Sequence, residues 1–191
     1  MNLSSTLARI AISSALAAGA QVALAQQQLV PAQSEVQFTA RQMGVPLEGH
    51  FKKFSAQVAF DPAKLATSKI RFTVDTGSAT LGSRETDAEL PKPTWFNVPK
   101  FPQAQFESSS IKALGGGKFD VAGTLTIKGN AQSVVVPVTL TQSGDTTTAA
   151  GALPIKRLAF KIGENEWADT SMVADDVTVK FKLALTGVGK L

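Results

Sequence analysis

His50 is the single histidine of the chain and cysteine is absent, so the side chains that most often carry chemistry are nearly missing. A histidine cluster cannot hold a metal here. Thiolate metal sites, thiol nucleophiles, disulfides and covalent haem attachment are excluded outright. No Gly-x-Ser-x-Gly turn occurs and no Ser-His-Asp arrangement stands out, which leaves serine without an activating base. His50 has a tunable charge, but beside Gly49 and opposite Phe51 in alternation it reads as a surface or edge residue. Paired carboxylates can divide acid and base roles when burial separates them. Glu164 and Glu166 flank Asn165 behind Gly163, however, and read as a solvated loop, as Asp175-Asp176 reads as a turn. Arg157 falls in phase with Ile155 and Ala159, which would aim it into an apolar interior. A buried arginine needs a partner, and Asp87, Glu89 and Asp169 are the candidates; structural pairing outweighs head-group binding. The inventory points to a binding protein with no catalytic residues, no metal and no cofactor.

The elements that would position such a site are strands. Val36, Phe38 and Ala40 alternate with polar neighbours, as do Phe54, Ala56, Val58 and Phe60, and again Ile70, Phe72 and Val74. The same period of two runs through Phe119–Ile127 and Val177–Leu185. Further strands are expected at Ala104–Ile111, Ser133–Thr141, Thr146–Leu153 and Ile155–Ile162, with turns at Asp61-Pro62, Gly115-Gly116-Gly117, Gly129-Asn130 and Ser143-Gly144-Asp145. The alternation slips by one residue between Phe51 and Phe54, which predicts a bulge at Lys52-Lys53. One short helix fits Ser83–Leu90, stopped by Pro91 and Pro93, and an irregular segment with Trp95, Phe96 and Phe101 comes next. The fold class is therefore all-β, a single extended antiparallel barrel of about eight strands, lipocalin-like, with a short helical or irregular segment near residues 83–100.

Residues 1–25 read as a signal peptide. Arg9 precedes the small, apolar run Ile10–Ala20, and Ala23-Leu24-Ala25 supplies a cleavage site after Ala25. The domain is then 26–191, exported and, lacking a cysteine to lipidate, untethered. The net charge of +4 comes from lysines and arginines scattered along the chain, with no basic stripe to bind nucleic acid. A membrane barrel would carry girdles rich in Tyr and Trp; this chain has no Tyr and two Trp.

Eleven phenylalanines make the inward face unusually apolar. Val36, Phe38, Ile70, Phe72 and Val74 are candidate lining residues from the early strands. Phe106, Phe119, Val121, Leu125 and Ile127 come from the middle, and Val179, Phe181 and Leu183 from the last strand. Trp95, Phe96 and Phe101 would line or cover one mouth. An ordinary filled core satisfies the same pattern; a lumen left open would hold one slender ligand. An 11-residue strand such as Lys118–Lys128 spans about 37 Å, or about 28 Å along a tilted barrel axis, which suits a long, thin, apolar molecule.

The segment Trp95-Phe96-Asn97-Val98, with Phe101-Pro102 and Phe106-Glu107-Ser108, resembles the central signature of the YceI-like family. Gly117–Gly129 resembles its Gly-x-Leu-Thr strand pair, and Arg157-Leu158-Ala159-Phe160-Lys161-Ile162-Gly163 with Trp167 and Asp169 resembles its C-terminal block. The likeness runs collinearly from about Ser34 to Thr186. It implies a lipocalin-like barrel in the bacterial periplasm with a long apolar channel for a polyisoprenoid lipid, either an isoprenoid quinone or a polyprenyl phosphate. It also implies, by analogy with relatives, an inner-membrane di-haem b-type cytochrome as a partner; a homodimer is a further candidate assembly. Many members carry Arg-Asp-x-His-Leu before the aromatic segment, where this chain has Thr86-Asp87-Ala88-Glu89-Leu90 and keeps only the Asp and Leu. The competing reading is a ligand-free interaction protein, with a solid core and the aromatic segment as its docking surface.

Overall fold

The computed structural model describes residues 27–191; the signal peptide expected over residues 1–25 lies outside them. The alternating segments form one continuous sheet in which all pairings are antiparallel. Its strands are β1 (Gln28–Leu29), β2 (Glu35–Gln42), β3 (Val45–Phe51), β4 (Phe54–Ala59) and β5 (Lys69–Asp75). Then come β6 (Ala79–Thr80), β7 (Gln103–Gly115), β8 (Lys118–Ile127), β9 (Asn130–Ser143), β10 (Thr146–Lys156) and β11 (Asp176–Thr186). Among the described residues the count is eleven rather than about eight, because β1 and β6 are two-residue strands with too little pattern to read. A short helix, α1 (Arg84–Glu89), sits where the sequence placed it.

The spatial order β4-β5-β7-β8-β9-β10-β11-β2-β3-β6 curls the sheet round on itself, so that its first and last strands face one another across a seam. Side chains tie the β4 edge across the opening, to the start of β1 at one end and to the residue before β6 at the other. Gln27 exchanges two hydrogen bonds with the Phe60 backbone, at 2.6 and 2.9 Å. The Ser78 hydroxyl accepts from the Lys53 amide at 3.0 Å.

Two local expectations are corrected here. Lys52-Lys53 is not a bulge: β3 pairs with β2 and β6, whereas β4 pairs with β5. The dipeptide is the point where the chain leaves one edge of the sheet for the other. The register shifts that bend the sheet lie instead on β7, between Ser108 and Ser110 and between Ala113 and Gly115. Ile155–Ile162 is not a strand either. β10 runs on to Lys156, and a 3-10 turn, Arg157–Phe160, ends with Lys161 in the left-handed region at φ +56°.

Apolar side chains gather in two clusters. One holds Leu90, Phe96, Ile127, Ile155, Phe160 and Ile162, under the irregular segment. The other holds Phe60, Ile111, Phe119, Val121 and Val136, towards the opposite end of the strands. Between them the interior is not filled.

Candidate lipid-binding cavity

A cavity of about 350 Å³ runs through the barrel interior, within the size range of small-molecule sites. The inward phase of the strands makes its wall. Val36 and Phe38 on β2 and Ile70, Phe72 and Val74 on β5 face it, as do Phe106 on β7 and Phe119, Val121, Leu125 and Ile127 on β8. Val179, Phe181 and Leu183 on β11 complete that set. Trp95 and Phe96 reach the same space from the irregular segment, and Arg157 from the turn after β10. Phe101 does not. Its ring packs over Gly129, whose Cβ position lies 2.8 Å from Phe101 Cε1, and Lys100 Nζ sits 5.4 Å from the ring centroid.

Three glycines keep this lumen open, and sequence reasoning passes over them as mere members of the alternation. Gly49 is opposite Phe38 in the register, and Gly151 is opposite Phe181. Gly123 lies on the cavity face of β8 between Val121 and Leu125, beside Phe106. A Cβ at Gly49 would stand 2.7 Å from Phe38 Cε2; at Gly123 it would be 2.6 Å from Phe106 Cζ, and at Gly151 2.6 Å from Phe181 Cζ. Each phenyl ring therefore lies down across a bare backbone instead of projecting into the lumen. Glycine in a strand costs conformational entropy and often marks such a close approach; here the return is internal volume. The signal is present in the sequence as an inward-phase glycine cross-strand from a phenylalanine, but it needs the register to be seen.

The two ends of the cavity differ. At the end near Phe60, Leu140 and Val188, the polar wall residue is Thr147, fully buried, whose Oγ1 accepts from Gln142 Nε2 at 3.3 Å. At the other end are Gln42, Thr86, Glu89, Arg157 and the Trp95–Trp167 pair, with ring centroids 5.6 Å apart. The carboxylate of Glu89 is engaged by Lys92 at 2.5 Å.

Arg157 is 2 % exposed, as a buried residue in phase with Ile155 would be, but its partners are not those expected. It pairs with none of Asp87, Glu89 and Asp169. Nε donates to Ala174 O at 3.0 Å, Nη1 to Ile162 O and Gly163 O at 2.8 and 2.9 Å, and Nη2 to Trp167 O and Val173 O, both at 2.6 Å. All five donors of the guanidinium are used, so it pins the loops at this end together and has nothing left for a ligand. Burial pushes its pKa below the usual arginine value, and the Asp175 carboxylate opposes that shift. Asp175 itself accepts from the Leu158 amide at 3.0 Å, so it is a structural partner of the turn and not merely solvated.

Two further polar groups near this end depart from the sequence reading. Lys128, 6 % exposed, donates to Pro93 O at 2.6 Å, Lys161 O at 2.7 Å and Glu164 Oε2 at 2.8 Å. Alternation puts it on the outer face of β8. A left-handed backbone at φ +49° swings it under the irregular segment, where it pairs with Glu164, whose side chain stays 43 % exposed in its loop. Asp87, the retained acid before Leu90, accepts from Thr80 Oγ1 at 2.5 Å and from the Leu81 amide at 2.7 Å. These two bonds hold its carboxyl below the usual aspartate range and tie α1 to β6. His50 lies on the outside of β3, exposed, opposite Gln37 and Thr80. Among the described residues no group of three or more His, Asp or Glu side chains is placed to hold a metal ion, and no helix is long and apolar enough to cross a membrane.

The pattern of residues matches a known family model, that of the YceI-like domain, over residues 27–185. The chain belongs to the YceI-like family. Among curated YceI-like relatives, a UPF0312 protein of Azotobacter vinelandii is 33 % identical over 138 residues, covering 70 % of this chain and 71 % of the relative. The crystal structure of Burkholderia cenocepacia BcnA superposes with a TM-score of 0.79 at 50 % identity, over 82 % of this chain and 98 % of BcnA. A polyisoprenoid-binding domain from Saccharophagus degradans shares the fold at a TM-score of 0.69 and 15 % identity, over 84 % of this chain and 98 % of that domain. The YceI-like resemblance read from Trp95–Ser108, Gly117–Gly129 and Arg157–Gly163 is thus borne out, together with the antiparallel barrel it implied.

Proposed function

We propose that this YceI-like protein is a periplasmic carrier for a polyisoprenoid lipid, whose tail lies along the lumen while the head group reaches the Trp95 end. The observation that carries this reading is the open, almost wholly apolar cavity, held open by Gly49, Gly123 and Gly151. A filled core, the competing expectation of a ligand-free interaction protein, would need no glycines facing its phenylalanines. The polyisoprenoid-binding domain of the same fold from Saccharophagus degradans supports the class of ligand. The signal-peptide pattern of residues 1–25 supports export.

Affinity comes from desolvation, with no bond made or broken: each CH₂ removed from water contributes about 0.8 kcal/mol. The wall offers no paired catalytic groups, since Arg157 is saturated and Glu89 is engaged by Lys92. With a quinone as cargo, an inner-membrane di-haem b-type cytochrome is the kind of partner this traffic would serve.

The test is a length series. Polyprenols of increasing chain length, presented to delipidated protein, are expected to bind more tightly by about an order of magnitude or more per added isoprene unit, until the lumen is full, and then to plateau. Affinity independent of length would reject a lumenal site.

A further inference from the structure

Two prolines stand on interior strands of the sheet, Pro137 on β9 and Pro154 on β10, although a proline has no N–H to give a ladder and belongs at an edge. The Leu140 N–H donates to Gly117 O, on the β8 side, at 2.7 Å. Backbone groups alternate sides along a strand, so those of Thr139, Pro137, Val135 and Ser133 face β10. The β9–β10 ladder runs from Ser143 opposite Thr146 to Val138 opposite Gly151 and stops there. Continued, its next two hydrogen-bonded pairs would be Pro137 with Ala152 and Val135 with Pro154. Each of these pairs lacks one N–H, on opposite strands. Among the described residues no ladder pair joins the rest of β9 to the rest of β10, although β9 stays paired with β8 and β10 with β11. The barrel wall is therefore split beside Ser133–Pro137, over about 17 Å of strand. Its far end is tied by Asn130 Nδ2 to Phe160 O at 3.2 Å and by Gln132 Nε2 to Ala159 O at 3.4 Å.

Apolar side chains line both faces of the split. Val136 and Ile155 are buried, and with Leu153 they line the cavity. On the outside Val135 is 55 % exposed, and Pro137, Ala152 and Pro154 are exposed beside it. The charge that follows on the β10 rim, Lys156, is engaged by Asp176 at 2.7 Å. A partner's β-strand suits these edges poorly, because each rim withholds a donor. A slender apolar chain suits them well. Parting two paired strands would leave N–H and C=O groups unsatisfied. Parting these rims breaks no ladder bond and separates apolar side chains, whose lost contacts a hydrocarbon tail replaces.

We propose that the β9–β10 split is a lateral portal, kept free of a ladder by Pro137 and Pro154, through which a slender apolar chain enters and leaves the lumen sideways. This rests on the lipid-carrier reading above and adds the route to it.

The chain has no cysteine, so Val135→Cys with Ala152→Cys puts one thiol on each outer rim and keeps both prolines. A short, reducible methanethiosulfonate cross-linker joins them. Gln37→Cys with Lys180→Cys, opposite each other on the β2–β11 ladder, is the control. The readouts are release of a dansyl-tagged polyprenol into excess untagged polyprenol, and equilibrium affinity. Joining the rims is expected to slow release at least about tenfold, reversibly on reduction, while Kd changes less than about threefold. The control cross-link is expected to leave the rate unchanged. Release at the parent rate with the rims joined, or equal slowing by the control, overturns the portal and leaves the lipid-carrier reading standing. A parent chain that binds no polyprenol removes both. A second variant needs no cross-link: Pro137→Val with Pro154→Val returns both donors. It is expected to protect the Val135 amide from hydrogen exchange and to slow release in parallel. Protection without slower release rejects the portal, and no gain in protection rejects the part given to the prolines.

Discussion

Replacing Gly151 with alanine is expected to destabilise the barrel by about 1–3 kcal/mol and to abolish retention of a long lipid. The added Cβ would fall 2.6 Å from Phe181 Cζ, well inside van der Waals contact, and it also meets the Pro137 carbonyl across β9. The ring can escape only towards the lumen, because the wall behind it is the β10 backbone. Volume is therefore lost where the tail must pass, beside the Phe60 and Phe119 cluster against which Phe181 packs. Lipid binding and thermal stability, measured on the same preparation, separate the two effects: a protein that stays folded but binds no long polyprenol is the predicted outcome. Gly151→Ala that binds the full-length lipid as the parent does would show that Phe181 does not border an occupied channel. Gly49→Ala and Gly123→Ala should repeat the result at Phe38 and Phe106, whose rings sit in the same relation to bare backbone.

The second large effect concerns Arg157. Its removal as Arg157→Met is expected to cost at least about 3 kcal/mol, since several buried carbonyls lose their donor at once. The carbonyls of Ile162, Gly163, Trp167, Val173 and Ala174 come from loops with no ladder of their own. Single backbone bonds, such as Gly163 N–H to Thr94 O at 2.8 Å and Ala174 N–H to Arg41 O at 2.9 Å, also tie these loops to the fold, but only the guanidinium gathers all five carbonyls. Arg157→Lys should recover only part of the loss, because an ammonium has three donors where the guanidinium has five. Urea denaturation gives both values. A lysine variant as stable as the parent would mean that the fork geometry does not hold this end of the barrel. A head-group role predicts the opposite pattern, normal stability with weakened binding.

Much of the wall is legible in the sequence because a strand has a period of exact parity. Once Val36, Phe72 or Phe181 is assigned inward, every second neighbour takes the same face, and the residues so assigned do face one cavity. Where the backbone leaves that period, the reading fails for a physical reason in each case. Arg157 is inward and buried as expected, but the strand expected through it does not form: the chain turns there because the side chain gathers five carbonyls from the loops between Ile162 and Ala174. Lys128 is outward by parity and yet buried, since a left-handed residue at φ +49° resets the direction of the side chain. The Lys52-Lys53 slip is visible, but a bulge and a change of sheet edge leave the same mark in sequence. Phe101 goes with Trp95 and Phe96 by proximity in the chain, yet the turn at Asn97, with φ +50°, sends it to Gly129 instead. The glycines facing Phe38, Phe106 and Phe181 are hidden for another reason. Their role belongs to pairs of strands, and register is not written in either strand alone.

The central claim is that the interior of this barrel is a lipid site and not a core. Native mass spectrometry of the protein purified from the periplasm without detergent, followed by solvent extraction, tests it most directly. The account predicts a stoichiometric mass increment that resolves to an isoprenoid. A bare polypeptide mass, unchanged after incubation with isoprenoid quinones and polyprenyl phosphates, would contradict it.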